Sequence, residues 1–219
     1  MSITTGESTT QDPAPREPAS GEPAAGNPAA ADVHGAWRQL AGPFTAEVEA
    51  VRDWSAASPC AGWTARDVLD HVRGTQREFL AGHSLMPETA GGSADGDPAA
   101  TGADGDPAAQ WAAHLTAVEA LLADPEIAGR EYDGAFGPTT IGATLLEFYG
   151  VDLLLHRWDL GTSQGRDVSF TPREIDVVDA AVDAWGEHAY GPGIFAAPLP
   201  VAEGADARTR LLARTGRAG

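Results

Sequence analysis

The chain has 219 residues, 42% apolar and 21% charged, enough for one domain of ordinary size with a packed core. Fourteen basic residues, all arginine, stand against 32 acidic ones, leaving a net charge of −18. That balance argues against binding a nucleic-acid backbone, which needs a basic face, and against docking on an anionic membrane. No apolar run reaches the ~20 residues of a membrane span, and the N-terminus lacks the basic start and apolar core of a secretory signal. The single cysteine, Cys60, excludes an internal disulfide and a cysteine-based zinc knuckle. The expectation is a cytoplasmic protein with neither nucleic acid nor membrane as partner.

Residues 1–31 are mostly Pro, Ala, Gly, Ser, Thr and Glu without an aromatic, and read as a disordered tail ahead of a helical domain over 32–219. Trp37, Leu40, Phe44, Val48 and Val51 then recur at helical spacing. Thr64 and Asp67 form a capping-box pattern that opens a second helix carrying Val68, Leu69, Val72, Phe79 and Leu80. From about 84 to 107 the chain reads as a flexible low-complexity loop holding the heptapeptide ADGDPAA twice. Its aspartates read as solvating charge, because the glutamate that ends a calcium loop is missing.

A third helix carries Trp111, Leu115, Val118 and Leu122, and DGAFGPTT reads as a turn-rich connection. The fourth helix, about 140–162, is apolar nearly throughout its middle and should be the most buried. Pro172 starts a fifth helix through Ile175, Val178, Val182 and Trp185. GPGIFAAPLPV reads as extended, with a short strand, and Arg208–Arg214 as a last turn or two of helix. The fold class expected is all-α: a four-helix bundle with an additional helix and a short C-terminal extension.

Polar groups inside the fourth helix carry the chemistry. Asp152 and His156 are one turn apart, about 40° around the helix, and Asp159 falls near the same stripe. Glu147 lies well off it. Unpaired charge on so apolar a helix needs a partner or a cation. His71 sits among apolar positions of the second helix. One histidine from one helix and an Asp-x-x-x-His pair from another make a three-ligand N/O site with open positions, as a catalytic metal requires.

Three separated stretches, SPCAGWTARDVLDHVRG, GVDLLLHRWDL and PLPVAEGADARTRLLARTGR, resemble in order the motifs of an actinobacterial family. The family is the mycothiol-dependent maleylpyruvate isomerase-like metal-binding proteins of the DinB/YfiT superfamily, and the resemblance spans about 33–217. It implies a DinB-like bundle with one divalent metal, zinc first and nickel or iron next, held by His71, Asp152 and His156. It also implies mycothiol as co-substrate, attacking a small electrophile as a metal-bound thiolate in S-transfer or isomerisation. On that family chemistry, Asp159 would orient His156 or a water. The isomerase proper carries Glu where this chain has Asp152. A non-catalytic metal-binding bundle, or a metal hydrolase using bound water, remains the alternative, and the oligomeric state is open, a homodimer included.

Other residues have plainer readings. Cys60 reads as a small packing residue and no nucleophile, and Trp63 and Trp158 read as core. His34, His83, His114 and His188 read as ordinary, and Arg210 and Arg214 as a solvated helix face in preference to a clamp for a ligand carboxylate. Gly74 leaves room for a ligand over the metal or permits a close helix contact.

The composition of the tail generates a first prediction. Deleting residues 1–31 leaves the melting temperature nearly unchanged, as differential scanning calorimetry reads it. A fall of many degrees would show instead that the tail docks on the bundle.

Overall fold

A computed structural model describes residues 32–86 and 105–219; the tail expected over 1–31 and most of the expected loop lie outside the described residues. Helix α1 (Val33–Glu49) starts at Asp32, whose carboxylate accepts from Gly35 N at 2.8 Å. Helix α2 (Ala65–Gly82) begins with a complete capping box. Thr64 Oγ1 accepts from Asp67 N at 3.2 Å, and Asp67 Oδ2 accepts from Thr64 N at 2.8 Å. Helix α3 (Pro107–Leu122) is capped by Asp106 and followed by a single turn, α4 (Pro125–Ala128).

The connection after α4 is more regular than its composition suggests. It is an antiparallel hairpin of β1 (Glu131–Gly134) and β2 (Gly137–Thr140), with Tyr132 opposite Thr139. Tyr132 and the two threonines favour extended backbone, and the Tyr132 hydroxyl lies 2.6 Å from that of Thr144. Glycine and proline dominate the sequence here and hide that preference.

The fourth helix changes pitch. It runs as α5 (Ile141–Thr144), a π-helical segment over Leu145–Tyr149, and α6 (Gly150–Ser163). Helix α7 (Pro172–Trp185) opens with a second capping box, Thr171 and Glu174, and leads into a 3₁₀ turn, Gly186–Tyr190. Helix α8 (Ala207–Arg214) closes the fold. The strand expected in GPGIFAAPLPV does not form: Pro192, Pro198 and Pro200 cannot donate to a ladder. Two bonds tie the stretch down instead, Phe195 N to Ala189 O at 3.0 Å and Leu199 N to Ala213 O at 2.9 Å.

Helix α6 is the axis of the molecule. Leu153 and Leu160 join one core with Trp37, Phe44, Leu69 and Trp111. Val151, Leu154, Leu155 and Trp158 join a second with Val178, Val182, Leu211 and Leu212. The apolar residues of α6 point both ways into these cores, and the charged residues between them, His156, Arg157 and Asp159, are buried with it. Two glycines admit its neighbours: a Cβ on Gly150 would stand 2.7 Å from Leu40 Cδ1, and one on Gly161 would stand 2.1 Å from Val168 Cγ2. The architecture is the expected all-α bundle with one added helix and a C-terminal extension, plus the hairpin.

His114 is less ordinary than its sequence setting. It is buried, with Nε2 2.8 Å from Gln76 Oε1. Burial, aided by Arg73 and Arg77, pushes its pKa down to about 3. The unfolded chain, near 6.5, therefore binds this proton first, and stability falls as pH drops from about 6.5 towards 3. Between pH 7 and 4 the native protein should lose about 3 kcal/mol relative to His114→Gln, which keeps a hydrogen-bonding group and does not titrate. Urea unfolding at the two pH values measures the difference.

Candidate functional site

Three segments meet beside the middle of α6: the turn before α2, the first half of α2, and the stretch after α8. Asp152 Oδ1 lies 3.2 Å from His156 Nε2 and 3.9 Å from His71 Nε2. The two imidazoles are 5.1 Å apart, at 68° to each other. Donor atoms of all three residues lie within 4.8 Å of one another, so one cation could touch all three. Asp152 Oδ2 is buried and has no hydrogen-bond partner. A carboxylate oxygen is costly in that position unless a positive group completes it, and a divalent metal fits the N,N,O donor set.

Behind this cluster lies a buried ionic network. His156 Nδ1 is 2.8 Å from Asp159 Oδ2, so Nδ1–H donates to that carboxylate and Nε2 is turned to Asp152. Asp159 is itself held by Arg217, whose Nε lies 3.0 Å from Oδ1 and whose Nη2 lies 2.8 Å from Oδ2. The Cys60 thiol donates to the same carboxylate at 3.4 Å. Cys60, His156 and Asp159 thus form a second group with metal-ligand chemistry. Its acceptors are already engaged by these donors, whereas Asp152 keeps an oxygen free. Of the two groups, that of His71, Asp152 and His156 is the one with an unfilled donor oxygen.

The titration of these groups follows from their neighbours. Burial alone would raise Asp159, but Arg217 and His156 outweigh it and hold the carboxyl far below the usual range. Burial would lower His156, yet Asp152 and Asp159 hold it well above its ordinary value. Burial dominates at His71 and pushes it down despite Asp152. At Asp152 burial pushes upward and the two imidazoles win, so its pKa is lowered.

The turn Ser58–Trp63 places two further residues. Ser58 N donates to Trp63 O at 2.9 Å, Trp63 N donates to Cys60 O at 3.0 Å, and Gly62 supplies the left-handed backbone at φ 81°. Trp63 packs its ring 4.9 Å from His71 and 6.2 Å from His156, nearly parallel to the latter. It is a wall of the site as well as a core residue, and Cys60 is part of the ionic network as well as packing. Trp158 is buried in the second core.

The arginine that enters the site is Arg217. Arg214 pairs with Asp179 and Asp183, and Arg210 turns back to the Ala205 carbonyl. Sequence reading missed Arg217, 58 residues from Asp159. The available signal was a charge on an otherwise apolar helix that had to have a cation, with four arginines near the C-terminus to supply it. Gly74 opens on free space, with nothing within 4 Å of a built Cβ, so no close helix contact explains it. Glu147 lines a different cavity of about 640 Å³ between α1 and α7. A cleft of about 40 Å³ opens on His71 and Asp152, and Val151 and Trp185 line both spaces.

The fold and this cluster define a class: a DinB-like helical bundle with the donor set for a divalent metal. The chain belongs to the family described as the mycothiol maleylpyruvate isomerase N-terminal domain, whose model matches residues 33–161, more than half its length. That span contains His71, Asp152, His156 and Asp159; Arg217 lies beyond it. No curated protein and no solved structure matches the chain. Among the described residues, no helix is long and apolar enough to cross a membrane.

Removing one partner of a buried ion pair strands the other. Arg217→Met should destabilise the protein by about 3–5 kcal/mol in urea unfolding, and adding Asp159→Leu to it should recover part of the loss.

Proposed function

We propose that the chain is a metal-dependent S-transferase or isomerase-like enzyme that uses mycothiol on a small electrophile. The observation that carries this reading is the partnerless, buried Asp152 Oδ2 in a carboxylate set beside two imidazoles, at the floor of a small cleft. Family membership supports the choice of thiol. His71, Asp152 and His156 would hold one divalent cation, zinc before nickel or iron, since two imidazoles and one carboxylate suit zinc with positions left open. When bound, such a cation lowers the pKa of a coordinated thiol, so that its sulfur is a thiolate at neutral pH.

The protein's own residues do the rest. Asp159 accepts the Nδ1–H of His156 and aims Nε2 at Asp152. Arg217 keeps Asp159 ionised, so that carboxylate orients and carries no proton. Trp63 packs on both imidazoles and restricts their rotation. Phe148 and Val151 wall the cleft against water. The Cys60 proton points at Asp159, which leaves the nucleophile to an exogenous thiol. Asp152 is one methylene shorter than the glutamate of the isomerase, which favours S-transfer over isomerisation of maleylpyruvate. A reducing cytoplasm suits such a reaction. All residues of the cluster come from one chain, so the reading needs no second copy.

His71→Ala and His156→Ala should each remove most of the metal from the purified protein while leaving its far-ultraviolet circular dichroism intact; unchanged metal content in both would sink the site. Mycothiol added to the cobalt-substituted protein should give a sulfur-to-metal charge-transfer band. No band, together with no thiol-dependent turnover across a broad panel of electrophiles, favours the non-catalytic bundle.

A further inference from the structure

The cleft over His71 and Asp152 is walled by Thr75, Phe148, Val151, Trp185, Ile194 and Phe195. Three of these form an aromatic run, with ring centres 5.1 Å apart for Phe148 and Trp185 and 5.9 Å apart for Trp185 and Phe195. Neither lysine nor arginine lines it among the described residues, and the chain has no lysine at all. Arg217 is committed to Asp159 on the Nδ1 side of His156, away from the Nε2 that faces Asp152. Arg214 is committed to α7, and Arg173 lies in the larger cavity across Val151 and Trp185.

We infer that the electrophile taken at this cleft is uncharged and carries a flat, apolar, aromatic-type body, and that maleylpyruvate, a dicarboxylate, is not its substrate. This deepens the S-transfer reading and rests on it only in giving the cleft to the electrophile. Charge counting leads the same way. A divalent cation, the Asp152 carboxylate and a thiolate leave no surplus positive charge. A substrate carboxylate would lose its water and gain no cationic partner. A neutral ring loses little water and gains the aromatic faces of Trp185 and Phe195.

Size adds a second element. The cleft of about 40 Å³ is close to one water's share of liquid volume. A ring enters only when Ile194 and Phe195 move aside. Both sit on the irregular stretch that follows the 3₁₀ turn, next to Gly193 at φ 81°. One backbone bond, Phe195 N to Ala189 O, ties that point to the fold, so the stretch can yield without unwinding a helix. Phe195 is then a specificity-determining residue: it closes the empty cleft and stacks on the ring that opens it.

The test uses the full-length, metal-loaded protein and two probes that share a ring, 4-nitrotoluene and 4-nitrobenzenesulfonate. The second carries a permanent charge on a group that ligates metals poorly. Saturable quenching of tryptophan fluorescence reads binding without any turnover. 4-Nitrotoluene should bind, the sulfonate should bind at least about tenfold more weakly, and Phe195→Ala should weaken 4-nitrotoluene binding while metal content and melting temperature hold. Equal or tighter binding of the sulfonate, binding of neither probe, or mycothiol-dependent turnover of maleylpyruvate overturns the inference. The neutral preference with no thiol-dependent turnover of any electrophile leaves it standing and sinks the S-transfer reading instead.

Discussion

Asp159 is a fully buried carboxylate in the helix that both cores are built around, and much of the molecule is arranged to make that tolerable. An ionised group in such a place is stable only when it is paired and its oxygens are satisfied. Arg217 supplies the charge, His156 and Cys60 supply further donors, and each comes from a different part of the chain or a different turn of α6. Satisfying Asp159 therefore brings the turn before α2 and the C-terminal stretch against α6. The same contacts turn the other nitrogen of His156 to Asp152.

That arrangement separates two roles which carboxylates on one helix could easily share. Asp159 has its acceptors filled and is locked in the ionised state. Asp152, seven residues earlier, keeps an unfilled oxygen and faces a cleft. One stabilises and orients, and the other is available. Trp63 fits between the two roles, since it packs on both imidazoles and belongs to the first core.

Helix-forming patterns were readable because they are local. Apolar spacing located α1 to α3, α6 and α7, and the Thr64–Asp67 and Pro172 signals located helix starts. Asp152 and His156 were readable as a pair because four residues on a helix is a fixed geometry. His71 needed the resemblance as well, since spacing says nothing about which helices face each other. What remained hidden was non-local or masked by composition. The partner of Asp159 could have been any of several arginines. Cys60 and Trp63 reach the site through a turn that only Gly62 hints at. The hairpin lay under glycine and proline, and the GPGIFAAPLPV stretch looked extended because nothing in it shows that it lacks a neighbouring strand.

The wide turn at Leu145–Tyr149 has a further consequence. A π segment is an α-helix with one residue inserted. Upstream of it the helix answers to the hairpin and the first core; downstream it presents Asp152, His156 and Asp159. Its last residue, Tyr149, donates to Thr75 O at 3.2 Å and so keys the two parts to α2 one turn beyond His71. Wound evenly as α-helix, with that residue not absorbed in a wide turn, the same sequence would carry everything downstream about 100° further around the axis. Every ligand would still be present in the chain, on the wrong side of the helix. The site is thus written in a residue count as much as in residue identities, and two chains with the same motifs can differ in whether those motifs meet.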